Sequence, residues 1–251
     1  NVAGEKTSLG RGNLSFTTMN MPRLAIEARI KAESMEESGK KEAIERTAKE
    51  LFIQSVHQTA ELIAEQLYSR YQYQRTALAR QFPFMMGNDV WKGGGKLAPN
   101  DQVGDVLRQG TLGIGFIGGH NAMMALYGES HGHSRKAWDT LYEAVLEMNK
   151  VADDYKAKYQ LNFSVLATPA EGLSGRFTRM DRRKYGTIPG VTDNDYYVNS
   201  FHVDVKESIT IVDKIKREAP FHAITRGGHI TYVELDGEAQ KNIKAIVKIV
   251  K

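Results

Sequence analysis

Two short apolar runs, Leu112–Ile117 and Asn162–Ala167, constrain this chain most. Each is too short for a buried helix, and each leads into residues with helical periodicity opened by glycine, serine or threonine. Between them Ser134 stands where it caps a helix running to about Tyr159, with Ala137, Leu141, Val145, Met148 and Ala152 as its buried stripe. A strand, a long helical connection and a second strand call for parallel pairing, so the pattern specifies an α/β fold.

The remaining segments fit that plan. Asn13–Thr18 is a short β-prone run, and Pro22 is favourable at a first helical position. From there to Phe82 apolar residues recur at helical spacing (Leu24, Ile26, Ile30; then Leu51, Val56, Ile63, Leu67), with a break near Ser38-Gly39, which predicts two long helices. Phe84 to Pro99 is a loop, 101–108 a short helix capped by Asn100, 196–203 extended, 206–218 helical, 230–235 an alternating strand and 238–250 an amphipathic helix. No internal repeat or low-complexity linker is seen, and 251 residues allow one large domain or two small ones.

Composition excludes several classes. Charged residues at 25% and hydrophobic ones at 41% are those of a globular protein. No apolar run approaches the roughly 20 residues that cross a bilayer, and no secretion signal is present, so the expected location is the cytoplasm without membrane contact. The formal charge of +4 is spread along the chain, which does not call for nucleic acid but suits a phosphate-bearing substrate. There is no cysteine, which rules out disulfides, thiolate metal sites and cysteine chemistry carried by these residues. The chain opens on Asn1 and closes on the apolar-periodic NIKAIVKIVK, and we expect an internal fragment of a longer protein.

Four features bear on chemistry. Gly113-x-Gly115-x-x-Gly118 has the spacing of a dinucleotide-binding turn. Such a turn follows a complete strand, whereas here the apolar strand runs through the glycines; Asp139, at the distance of a ribose ligand, falls inside a predicted helix. Glycines within a strand mark close approach of another backbone or a ligand, and that reading is favoured over a nicotinamide-dependent oxidoreductase. His120, His131 and His133 contain a His-x-His pair, but no further metal ligand stands at a familiar spacing, so hydrogen-bonding or packing histidines are expected and no metal.

Ala167–Phe177, ATPAEGLSGRF, is the best local candidate. A strand ends at Ala167, and Thr168, Gly172 and Ser174 surround a helix start whose free N–H groups and dipole bind anions, with Arg176 and Arg179 near enough to add charge. A capping box, with Thr168 as cap and Glu171 as its partner, is compatible with the same segment. Asn13, in GRGNLSF, is by spacing a turn residue, and RGGHITYVEL is a glycine turn into a strand.

Together GRGNLSFTTMNMPRLAIEA, GTLGIGFIGG, LYGESHG, ATPAEGLSGRF, YGTIPGVTDNDYYVNSFHV and ITRGGHITYVELDGEAQ, in order through the whole chain, resemble the large catalytic subunit of the anaerobic, class III, ribonucleoside-triphosphate reductases. The resemblance implies glycyl-radical removal of the ribose 2′-hydroxyl from ribonucleoside triphosphates, to supply DNA precursors, with formate as reductant. It implies a ten-stranded α/β barrel of two five-stranded parallel halves, of which residues 1–251 are part. Asn13 matches an active-site asparagine near the ribose, with Ser15 beside it, and Thr168, Pro169, Ala170, Glu171, Gly172 and Ser174 match the segment holding the triphosphate. It also implies ATP and deoxynucleotide effectors, a structural zinc on four cysteines, a radical-generating activase that uses S-adenosylmethionine and a 4Fe-4S cluster, and a homodimer. This cysteine-free chain departs from the pattern: the thiyl cysteine, zinc site, ATP cone and glycyl-radical segment fall outside it, Gly227 and Gly228 lack the radical context, and the fragment alone is expected to be inactive. A non-catalytic nucleotide-binding or regulatory module is the alternative.

Overall fold

The computed structural model describes residues 2–7, 9–36, 39–233 and 241–250. In chain order the elements are β1 (Asn13–Asn20), α1 (Met21–Met35), α2 (Lys41–Gln74), α3 (Pro83–Gly87), α4 (Gly104–Leu107), β2 (Thr111–Ile117), α5 (Gly119–Tyr127), α6 (Arg135–Tyr159), β3 (Asn162–Ala167), α7 (Glu171–Tyr185), α8 (Ile211–His222) and α9 (Ile243–Val250). The strands form one parallel sheet in the order β1-β2-β3. The fold is mixed α/β around a small parallel sheet, with three strands among the described residues.

Side chains alternate across a strand, so the sheet has two unlike faces. Leu112, Ile114, Phe116, Phe163 and Val165 join Phe52, Val56 and Ile63 of α2 and Val145 and Met148 of α6 in the main core. The opposite face presents Phe16 and Thr18 of β1, Gly113 and Gly115 of β2, and Ser164 and Leu166 of β3. A Cβ at Gly113 would stand 3.0 Å from Phe16 Cβ, and one at Gly115 only 2.2 Å from Thr168 Oγ1. These glycines are therefore required by neighbours that close over the middle strand.

Several boundaries moved for local reasons. Ser134 caps α6 as its sequence predicts, accepting from the Ala137 N–H at 3.4 Å. The helix expected over 101–108 is confined to α4, because Val103 is the cap residue and Asp101 accepts instead from the Ala98 N–H. The helix expected over 206–218 starts at Ile211, where the Thr210 hydroxyl accepts from the Asp213 N–H. The expected loop 84–99 contains most of α3 and a turn of 3-10 helix at 94–96.

The strand expected over 230–235 is corrected: residues 230–233 are not strand, and Glu234 and Leu235 lie outside the described residues. Among the described residues this segment bonds to β3 through Gly227 N–H to the Val165 carbonyl and Ala167 N–H to the Gly228 carbonyl. It is then drawn to α8, where the His229 and His222 rings stack and Lys214 donates to the Tyr232 carbonyl. The helix expected over 238–250 is observed as α9, and residues 238–240 are outside the described set. Among the described residues no helix is long and apolar enough to cross a membrane.

Candidate functional site at the carboxyl ends of the strands

Parallel strands deliver their carboxyl ends, and the helix starts that follow, to one side of the sheet, where α/β proteins place their ligands. Here that side receives the starts of α1, α5 and α7. Their free N–H groups decide which of them can meet an anion.

Asn20 caps α1, its Oδ1 accepting from the Arg23 N–H, and Pro22 removes another donor. The start of α5 is closed by main chain: Gly118 N–H donates to the Val198 carbonyl and Gly119 N–H to the Ser200 carbonyl, both at 2.8 Å. Gly118 takes φ +78°, with the Pro22 ring where its Cβ would be, and a Cβ at Gly119 would lie 2.7 Å from the Ser200 oxygen. No pyrophosphate can reach these donors. The glycine triplet serves backbone packing, which removes the dinucleotide reading.

The start of α7 is different. Ala170 N–H donates to Asn199 Oδ1 at 3.2 Å, and Ser174 N–H to the Ala170 carbonyl. Among the described residues no partner is found for the N–H groups of Glu171, Gly172 and Leu173. The capping box expected here does not form: Ala170 is the cap residue and contributes no side-chain bond. Thr168 is spent elsewhere, its Oγ1 lying 3.1 Å from Thr18 Oγ1 across the gap left by Gly115. Ser174 Oγ donates to the Glu171 carbonyl.

Beside this terminus is a cavity of about 380 Å³, lined by Glu171, Ser174, Tyr196, Asn199, His202 and Lys214 among others. Arg176 and Arg179 are exposed and outside that lining, so Lys214 is its cation. Beneath it the buried Glu218 accepts from the Val203 N–H at 2.9 Å and stands 3.3 Å from both His202 Nδ1 and Lys214 Nζ. Burial raises the Glu218 carboxyl, but its bonds from His202 and Val203 outweigh this and leave it below its ordinary value.

Thr168, Ala170, Glu171, Gly172 and Ser174 are thus gathered at one place, with Pro169 exposed among them. Asn13 is not. It is exposed at the amino end of β1, paired with Thr111, whereas Thr168 follows the residue paired with Phe116. At about 3.3 Å per residue the two positions are roughly 20 Å apart along the strands. Asn13 instead borders a second cavity of about 570 Å³ with Leu14, Tyr73, Met85, Met86 and Trp91. Ser15 is half-buried and accepts from Arg70. Sequence reasoning missed Thr18, Asn199, His202 and Lys214; Asn199 and His202 lie in the YYVNSFHV run but carried no spacing that marks a site.

The histidines hold loops. Buried His131 donates from Nε2 to the Phe201 carbonyl at 2.8 Å, and burial, with the neighbouring His120 charge, lowers its pKa to about 4. His120 lies between Asp204 and Glu207, and His133 is 3.1 Å from Glu207. Among the described residues no three His, Asp or Glu side chains converge in a metal-binding group.

An open helix terminus and a polar cavity at the strand ends form the edge at which parallel α/β proteins commonly hold their ligands. The comparisons narrow this: the chain belongs to the anaerobic ribonucleoside-triphosphate reductase family, whose sequence model matches residues 1–251. The anaerobic ribonucleoside-triphosphate reductase of Enterobacteria phage T4 is 32% identical over 239 residues, 94% of this chain and 35% of that protein. That of Salmonella typhimurium is 31% identical over 249 residues, 98% of this chain and 32% of that protein. The chain therefore spans about a third of the length of these curated relatives. In fold it is similar to the anaerobic ribonucleotide reductase of Thermotoga maritima with dATP bound in the specificity site, at TM-score 0.64 and 16% identity, covering 99% of this chain and 37% of that one. The same enzyme in complex with dATP and CTP gives TM-score 0.62 at 16% identity, covering 98% and 36%.

Proposed function

We propose that these residues form part of the catalytic barrel of an enzyme that reduces ribonucleoside triphosphates to 2′-deoxyribonucleoside triphosphates under anaerobic conditions. The observation that carries this is the family match along the whole chain. The sheet supplies part of the barrel wall, with the face bearing Gly113 and Gly115 turned inward, where Phe16 and Thr168 close over the glycine backbone. The triphosphate is received by Thr168 to Ser174, and the open N–H groups of Glu171, Gly172 and Leu173 support this. Asn13 and Ser15, at the far end of β1, act on the sugar only if the remainder of the barrel brings the ribose to that end; their role is the part of the reading most exposed to test.

Abstraction of a ribose hydrogen by a thiyl radical requires a sulfur that no residue here supplies, since the chain has no cysteine. The thiyl radical and a zinc held by four cysteines accordingly belong outside these residues, as does the glycyl-radical segment of the family pattern. What these residues do is bind and orient the nucleotide. The test is deoxynucleotide formation by the full-length, anaerobically activated protein with formate. Conversion of a ribonucleoside triphosphate is expected; a radical-bearing protein that binds the nucleotide and leaves it unreduced overturns the proposal.

A further inference from the structure

Helix α7 crosses the carboxyl ends of the strands, and its inner face is polar. Ser174, Thr178 and Asp181, spaced four and then three residues apart, are all buried. At about 1.5 Å per residue Asp181 lies roughly 15 Å along the axis from Glu171. The near end of the helix is held by Asn199 and by the Thr18–Thr168 contact. The far end is held by Asp181, whose carboxylate is fully buried and takes three hydrogen bonds and a further ion-pair contact.

Arg23 reaches its Oδ1 through Nε at 2.7 Å and Nη2 at 2.5 Å. Oδ2 accepts from Asn20 Nδ2 at 2.8 Å and from the Tyr197 hydroxyl at 2.9 Å. These donors come from the last residue of β1, the first turn of α1 and the 196–199 segment, so one carboxylate joins three pieces of chain to α7. Burial and then the Asp181 charge push the Tyr197 phenol up, which keeps it a donor. Little apolar contact competes: Phe177 and Tyr185 of α7 pack only on the small cluster of Ile26, Val191 and Tyr197, apart from the main core.

We infer that Asp181 is a positioning residue: it sets the angle of α7 across the sheet, and thereby where the open N–H groups of Glu171, Gly172 and Leu173 meet the substrate's phosphates. This rests on the proposed role of that terminus. A tilt of about 4° at a pivot roughly 15 Å away moves the terminus by about 1 Å, enough to spoil several hydrogen bonds at once. Asp181 itself does not touch substrate. The Tyr197 bond extends its reach, because Val198 N–H donates to Asn121 and the next residue, Asn199, holds the Ala170 N–H.

The experiment compares binding of CTP and CMP to the full-length, radical-free enzyme and to its Asp181→Asn and Tyr197→Phe variants. In the parent enzyme CTP is expected to bind more tightly than CMP. In Asp181→Asn that ratio is expected to fall about tenfold, with CMP affinity unchanged, and in Tyr197→Phe about threefold. A purely structural role would weaken both nucleotides together or neither, and an unchanged ratio in a folded Asp181→Asn protein overturns the inference. If Asp181→Asn fails to unfold cooperatively, Tyr197→Phe decides alone. If the parent itself shows no preference for CTP, it is the phosphate role of α7 that fails, and the two failures are told apart by that control.

Discussion

Replacing Gly115 by alanine tests the account of the sheet's glycine face most directly. The new Cβ would lie 2.2 Å from Thr168 Oγ1, 3.1 Å from Thr18 Oγ1 and 3.3 Å from the Thr17 carbonyl oxygen. The first distance is impossible, so Thr168 must move and its contact with Thr18 must open. Overpacking of this kind costs about 1–3 kcal/mol, and the lost hydroxyl pair adds about 1 kcal/mol. Backbone conformation adds nothing, because Gly115 lies in β2 without positive φ. A total of about 2–4 kcal/mol corresponds to exchange of the β2 amides faster by roughly 30-fold or more in the full-length protein. The matched control is Gly172→Ala, whose Cβ meets nothing within 4 Å on a helix, and which is expected to be neutral or slightly stabilising. Combining Gly115→Ala with Thr168→Ala removes the atom in closest conflict and should return at least about 1 kcal/mol as coupling. Equal exchange in the Gly115 and Gly172 variants, or no recovery in the double variant, would refute the close-approach explanation.

His131 predicts acid sensitivity. Its folded pKa of about 4, below the ordinary 6.5, means the unfolded state takes up the proton first, so its contribution is whole above about pH 6.5 and lost as pH falls toward 4. Between pH 7.5 and 5 this removes about 2 kcal/mol, measured as a lower urea midpoint, and His131→Leu should flatten that part of the profile. Asn121 is fully buried and bridges the Gly190 carbonyl and the Val198 N–H, so Asn121→Ala should cost about 2–4 kcal/mol in denaturant unfolding by leaving both unpaired. Asn13→Ala removes an exposed side chain and should change stability by less than about 0.5 kcal/mol. Reduced deoxynucleotide production by that variant would support its proposed role at the sugar, and unchanged production would end it.

Periodicity carried the fold further than it carried the site. The apolar alternation of Leu112–Ile117 and the stripe of α6 are local consequences of burial against α2, so they are written in consecutive residues. The same holds for β3, observed over the residues expected. The 230–235 segment was misread because its alternation is genuine, but Lys214 and His222 of the preceding helix α8 claim its Tyr232 carbonyl and Thr231 hydroxyl, which periodicity does not show. The capping box failed likewise: Thr168-x-x-Glu171 has the right spacing, yet Gly115 opens a place for the Thr168 hydroxyl beside Thr18, 150 residues away. Resemblance to a family pointed to the Thr168–Ser174 segment, which the structure places directly after β3. It did not reveal that Asn13 lies at the other end of the sheet, since register is fixed by pairing and not by order along the chain.

The two glycines on β2 also decide what their face is for. Parallel sheets bury both faces, and here α2 and α6 cover one of them with Leu112, Ile114 and Phe116 beneath. A second packing face would present branched apolar residues, because each glycine in place of one forfeits most of the burial that holds a helix down. Instead the middle strand offers backbone alone, flanked by Phe16, half exposed, and by the Thr18–Thr168 pair. Such a surface gains little from a covering helix but allows close approach of something that is not a side chain. It also runs toward the terminus of α7, the strand-end helix whose first N–H groups remain open. A ligand laid along it, with its anionic end at Glu171 to Leu173, would meet both features at once, the glycine backbone held close by Phe16 and Thr168 and the N–H groups left open.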